Sequence, residues 1–455
     1  MLSPPLSNLS SELLALIVDQ LADDVEYIAA RRLKRLSVVD RSFTHLCQSH
    51  LFKEMILDGT KSEMTKTVKR VHGILKTKES SSVSFVRRIR LNLGEQRDPS
   101  WLFQDRTFIS LMQTLSKAPR PPYQLAIFDW KASTTKDPEA IVAGLDNSFF
   151  SKSLESLLIW DSQIPENTLF VSPSLRCLEL YNVRLLTPKK SSKGGNGRYN
   201  DRTPPMLREL DHRISFDVIQ RFLPGEGIKQ LADVSQLRVL HMCPEDEENM
   251  ALAQSLLDNA HKTLEEIKLK HSYVTPGSDS EEEHGGYLLL AGLLNLSKLH
   301  QLRTFELRAG IYDSDQDRLD VVKDITKVLG SIPQANSLTR LYIRVQVFSE
   351  PPFKAARSQK WSAFGKAIAR ISGGKPLNVE LEMDIQSEEG DLLDERDGPD
   401  ETHMKELYDH IEKELKGLRA TEGVHMEFKN EIAGMASDEP DDDLDDFTDS
   451  DLDDS

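Results

Sequence analysis

The sequence predicts an α/β fold: a short N-terminal helical module followed by a curved solenoid of parallel strands and helices. Three observations predict it. A unit reading apolar, two residues, apolar, one residue, apolar recurs along most of the chain. Stretches with helical spacing of apolar residues lie between its copies. The first sixty residues carry a separate helical pattern.

The module comes first. Leu9, Leu13, Leu14, Ile17 and Leu21 share one helix face, which Asn8, Ser10 or Ser11 can cap. A second periodic stretch, Leu33, Leu36, Val39, Phe43 and Leu46, leads to Leu51-Phe52, and Met55, Ile56 and Leu57 close the module at residue 57. Helices this short cannot bury both faces, so a partner or the next domain should cover the rest. Residues 58–84 read as a helical connector.

The repeat spans 85–435. Its unit appears as Val86-Ile89-Leu91, Leu125-Phe128-Trp130, Leu154-Leu157-Ile159 and Leu175-Leu178-Leu180. It continues as Leu237-Leu240-Met242, Leu264-Ile267-Leu269, Leu302-Phe305-Leu307 and Leu338-Leu341-Ile343, with a frayed copy at Leu207 and Leu210 and a shifted one at Val379, Leu381 and Met383. The mean period is about 31 residues, which suits one strand and one helix per turn of a solenoid. The closing alternation of each unit is a strand. Helix faces lie between: Leu252, Leu256, Leu257 and Ala260; Leu319, Val322 and Leu329; Trp361, Phe364, Ile368 and Ile371, ended by Gly373-Gly374. Cys177 lies inside a strand unit and reads as core. Polar loop insertions interrupt the array near 187–205, 275–286 and 386–402. Met404, Leu407, Ile411, Leu415 and Leu418 form a helix and Val424, Met426 and Phe428 a strand, together a C-terminal cap.

Charge and composition exclude several functions. The net charge is −17, and Asp438 to Ser455 holds eleven acidic residues and no basic one, leaving about −6 elsewhere. Residues 436–455 read as a disordered acidic tail. So acidic a chain is a poor nucleic-acid partner. It has no run of about 18 apolar residues to span a membrane and no basic-then-apolar start to direct secretion. Three scattered cysteines suggest a reduced compartment, cytoplasm or nucleus. No phosphate loop, zinc quartet or nucleophile elbow is present, so neither catalytic residues nor a metal or cofactor is expected. Gly194-Gly195-Asn196-Gly197 has no strand before it and reads as loop. Lys189, Lys190, Lys193, Arg198 and Arg202 form a basic loop.

Leu9-Ser10-Ser11-Glu12-Leu13-Leu14-Ala15-Leu16-Ile17, then Leu21, Leu33, Leu36, Val39, Phe43, Leu46 and Leu51-Phe52, resembles the F-box pattern, over roughly residues 6–57. Ser10 stands where that family has Pro, and Ala22 to Arg32 is longer than usual. The repeat resembles a degenerate leucine-rich repeat, with the Asn or Cys after the strand mostly absent. The resemblance implies a substrate adaptor, monomeric before assembly, that docks on the Skp-type linker of a cullin–RING ubiquitin ligase through Leu9, Leu13, Leu14, Ile17, Leu21, Leu33, Leu36, Val39, Phe43 and Leu46. The target protein would lie on the concave strand face. Glu179, His241, Lys268, Glu306 and Tyr342 are its candidates, each an outward residue between two inward apolar ones. The alternative is an acidic-tailed leucine-rich-repeat binding module or histone chaperone outside any ligase. Ser278, Ser280, Thr448 and Ser450 each have an acidic residue three positions on, which suits an acid-directed kinase.

Overall fold

The structure, a computed structural model, describes residues 9–23, 26–76, 81–94, 98–133, 135, 137–146, 150–186, 202–225, 229–270, 288–312, 320–348, 353–386 and 401–432. They divide into two compact units, the first drawn from Met1–Lys270, Gly292–Arg303 and Ala335–Ser337, the second from His271–Ala291, Thr304–Gln334 and Leu338–Ser455.

The first unit opens with three helices, α1 (Ser11–Ala22), α2 (Glu26–Val39) and α3 (Arg41–Leu51). Ser10 caps α1, its Oγ accepting from the Leu13 N–H at 3.3 Å, and Asp40 caps α3 by accepting from the Ser42 N–H at 2.8 Å. Leu14, Val18, Leu33, Phe43 and Cys47 fill the module's core, with Leu21, Leu36 and Leu46 half-buried against it. The inward face of α1 therefore runs through Leu14 and Val18 with Leu21 half-buried, so that of the expected face of Leu9, Leu13, Leu14, Ile17 and Leu21 the residues Leu9, Leu13 and Ile17 turn outward. The apolar residues of α1 nearly encircle it, so spacing alone does not decide which of them turn inward.

Residues 54–57 are not the end of the helical module. They form β1 (Glu54–Leu57), the first strand of a parallel sheet. The connector contains α4 (Lys61–Lys76), which begins with a capping box: the Glu63 carboxylate accepts from the Thr60 N–H at 2.7 Å. The strands β2 (Arg88–Asn92), β3 (Gln124–Phe128), β4 (Ser156–Ile164), β5 (Cys177–Leu185), β6 (Glu209–Arg213), β7 (Val239–Cys243) and β8 (Glu266–Lys270) follow. Each of β1 to β8 pairs in parallel with its neighbours in the chain. Helices such as Arg106–Ser116, Pro138–Asp146 and Glu247–Ala260 make crossovers between them.

Two rows of side chains face inward across this sheet. One runs Met55, Ile89, Leu125, Leu157, Leu178, Leu210, Leu240, Ile267. The other runs Leu57, Leu91, Ile127, Ile159, Leu180, His212, Met242, Leu269, and every member of both is buried. Burying each apolar member is worth roughly 1.5–3 kcal/mol. Three expectations shift here. In β3 the inward residues are Leu125 and Ile127, so Phe128 faces outward; four apolar residues in succession, 125–128, fit either register. Trp130 is buried, but beyond a bend. Cys177 is half-buried on the outward face, level with Ser156 and Glu209, and is not core.

Directly after the outward residues Phe128, Trp160, Tyr181 and Arg213 the chain turns through positive φ at Asp129 (56°), Asp161 (45°), Asn182 (51°) and Ile214 (49°). Asp and Asn take this conformation more readily than other side-chain-bearing residues; Ile214 does so at a cost. Serines tie the bends together. Ser162 Oγ donates to the Trp160 carbonyl at 2.6 Å and accepts from the Trp130 N–H at 3.0 Å. Ser215 Oγ does the same for the Arg213 carbonyl and the Val183 N–H, at 2.8 and 2.9 Å. Of the expected basic loop, Arg202 alone lies among the described residues, and it is an anchor: it grips the buried Asp146 carboxylate through two bonds of 2.7 and 2.9 Å and donates to the Phe170 carbonyl at 3.0 Å.

The second unit holds β9 (Thr304–Tyr312), β10 (Arg340–Phe348), β11 (Leu377–Gln386) and β12 (Val424–Ile432), again parallel and in chain order. Phe305, Leu341 and Val379 form one buried row and Leu307, Ile343 and Leu381 the next. The helices Val321–Ser331, Trp361–Ser372 and Glu401–Glu414 alternate with them, and Gly373 ends the second at φ 52°. Met404, Leu407, Ile411, Leu415 and Leu418 are buried as expected. The residues Val424, Met426 and Phe428 belong to β12, which extends the ladder from β11.

Candidate functional site

Two surfaces of the first unit stand out chemically. The first belongs to the helical module. With Leu14 and Val18 turned inward, α1 leaves Leu13 49%, Leu16 62% and Ile17 40% exposed, with Leu9 beside the cap. The end of α2 leaves Val38 83% and Val39 63% exposed. Of the ten residues expected to contact a linker subunit, Leu9, Leu13, Ile17 and Val39 are thus on the surface and Leu21, Leu36 and Leu46 half-buried. Leu14, Leu33 and Phe43 are inside the module and not at its surface, because three short helices need them as their own core. Val38, the most open of these apolar residues, and Leu16, about as open as Val39, were not among the ten. They fall off the periodic stripe that marks a helix's inner face, which is the reason to look for surface contacts there.

The second surface is the outward face of the strands. Glu179, His241 and Lys268 occupy one row with Asp211, at successive strands β5 to β8. All three point outward, as the alternation requires. His241 sits between two carboxylates, its Nδ1 3.2 Å from Asp211 and its Nε2 3.4 Å from Glu266, and Lys268 Nζ lies 3.3 Å from Glu266. Burial opposes ionisation of Asp211, but hydrogen bonds from His241 and Tyr181, aided by the charges of His241 and Arg213, outweigh it and hold its carboxyl below the usual range. Glu179 is pushed the other way, by burial first and then by the Asp211 charge. Burial and nearby carboxylates push the Cys177 thiol up to about 12, so it is no nucleophile.

The next row is an aromatic ladder. Phe128 and Trp160 stack at 6.5 Å between ring centroids, and Trp160 and Tyr181 at 4.7 Å. Guanidinium groups close both ends, Arg90 over Phe128 at 4.7 Å and Arg213 over Tyr181 at 5.1 Å. The Trp160 indole N–H donates to Asp161 at 2.9 Å, and Asn182 donates to the same carboxylate at 2.5 Å. The residues at the bends thereby hold the indole in place. Spacing hides this feature, since its members sit among inward apolar residues.

In the second unit, Glu306 and Tyr342 also face outward on adjacent strands. Glu306 pairs with Arg308 at 2.9 Å, and the Tyr342 hydroxyl donates to Glu382. Arg344 spans Glu382 and Asp384, both at 3.1 Å. Charges here are answered within the sheet. Ser278, Ser280, Thr448 and Ser450, with the acidic tail, lie outside the described residues. Among the described residues no group of three His, Cys, Asp or Glu gathers to hold a metal ion, and no helix is long and apolar enough to cross a membrane.

No family model and no curated protein matches the chain. A crystal structure of a Bacteroides fragilis protein, a structural-genomics target, aligns at 10% identity with a TM-score of 0.30, over 84% of this chain and 74% of that one.

Proposed function

We propose that the chain is a non-enzymatic adaptor: the helical module docks on the Skp-type linker of a cullin–RING ligase, and the outward strand face receives a target protein. The observation that carries this reading is the exposure of Leu13, Leu16 and Ile17 on α1 and of Val38 and Val39 at the end of α2, in a module that has its own buried core. Exposed large aliphatic side chains clustered on one small module point to a partner surface. The chain's part is then tethering, which raises the local concentration of the target's lysines near the ligase. None of its side chains takes part in bond making.

The test mixes the purified full chain with a purified Skp-type linker subunit. Leu16→Glu with Ile17→Glu should abolish complex formation while stability changes by no more than about 0.5 kcal/mol, since both sites are exposed. Undiminished binding by that variant, or no binding by the natural chain, overturns the assignment.

A further inference from the structure

A recess of about 340 Å³ opens on the outward strand face of the first unit. It exists because Ala126 and Ser156 are small where neighbouring strands carry Arg90, Gln124 and Leu158. Four charges surround it: Glu54, Arg88, Arg90 and Glu179. Three are answered within the chain. Arg88 donates to Gln124 at 3.1 Å and lies 4.0 Å from Glu54. Arg90 lies over the Phe128 ring. The carboxylates beyond are engaged too, Asp211 and Glu266 by His241 and Lys268. Glu179 is the exception: half-buried, it has neither a hydrogen bond nor an ion pair among the described residues, and only the more distant charges of Arg88 and His241 favour its ionised form, against burial and the carboxylates of Asp211 and Glu209. A partly desolvated carboxylate with no directly bonded partner is an unfavourable arrangement that a cation arriving from outside relieves.

We propose that this recess takes a basic side chain, arginine or lysine, of a target protein, its aliphatic stem over Ala126 and Leu158 and its cationic head on Glu179. A long basic side chain suits such a place, since its stem is apolar and only its head needs a charged partner. The aromatic ladder forms a rigid wall beside it: Phe128 lines the recess, and stacking on Trp160 holds that ring in place. The proposal names the chemistry of the target contact; it rests on the strand face being the target surface and not on the linker contact.

A library of randomised dodecapeptides selected on the full chain tests it. Enriched peptides should share one obligatory Lys or Arg. Replacing that residue by norleucine or citrulline in the synthetic peptide should weaken binding about tenfold or more, the size expected for a charged hydrogen bond. Glu179→Gln should weaken the charged peptide about as much and remove the difference between charged and neutral peptides. Ala126→Met, which fills the recess, should remove binding with Glu179 intact. Both variants should bind the linker subunit as the natural chain does. No enriched basic position, or full affinity of the Glu179→Gln chain for the charged peptide, overturns the proposal. Peptide binding that follows this pattern in a chain that fails to bind the linker upholds it and sinks only the ligase reading.

Discussion

The helical module and the strand sheet of the first unit both bring apolar side chains to water, under different conditions. On the sheet, Phe128, Trp160 and Tyr181 are stacked on one another and closed at both ends by guanidinium groups. On the module, Leu16 and Val38 are open side chains on helix surfaces. The interiors differ as well. The module's core is five buried side chains, whereas the sheet's is two rows of eight. A region with few core residues and a bare apolar face depends on something outside itself; a region of long buried rows does not.

The largest test of that contrast is Phe43→Ala. Phe43 is the bulkiest of the module's five buried side chains, and its loss should cost about 3–5 kcal/mol. Hydrogen exchange should show α1 to α3 opening while amides of β2 to β8 keep their protection. Equal loss of protection in both regions would make them one cooperative unit and break the contrast.

Next comes His212, which occupies an inward position between Leu180 and Met242. Burial lowers its pKa to about 4, with Asp211 opposing weakly. The unfolded chain takes up this proton near pH 6.5 and the native chain does not, so the unfolded state holds more protons in between. The site therefore lowers stability as pH falls from about 6.5 towards 4, by on the order of 3 kcal/mol. His212→Leu should flatten that part of the stability–pH curve measured by denaturant unfolding. A variant whose curve parallels the natural one shows the imidazole to be solvated. The smallest effect is Trp160→Ala, about 1 kcal/mol from lost stacking, with the near-ultraviolet circular dichroism of the ladder removed. An unchanged spectrum means the three rings do not stack in solution.

Much of the fold is legible in the sequence. Ile89, Leu91, Leu157, Leu178, Leu210, Ile267, Phe305 and Leu341 all lie in the buried rows at the register their spacing implies. What escapes the pattern escapes it for physical reasons. β3 is apolar on both faces, so alternation cannot orient it. β1 follows a helix directly and reads as its continuation. His212 is a polar residue doing an apolar residue's task, and no hydrophobic count finds it. The outward residues Glu179, His241 and Lys268 are readable because each has an apolar neighbour on either side. The recess is not, because it arises from the small size of Ala126 and Ser156 across two strands, a relation that only register reveals.

Chain-order pairing has a further consequence, for how the first unit folds. Every hydrogen-bonded neighbour of a strand there is also its nearest strand along the chain. Ring closure between such neighbours involves loops of tens of residues and grows only slowly more costly with their length. Assembly can then nucleate at any adjacent pair and spread outward in both directions, each arriving strand finding one preformed edge. Damage travels by the same rule. A lesion in β7 reaches β2 only through every strand between them, and the recess beside Glu179 keeps its shape while the far end of its own sheet frays.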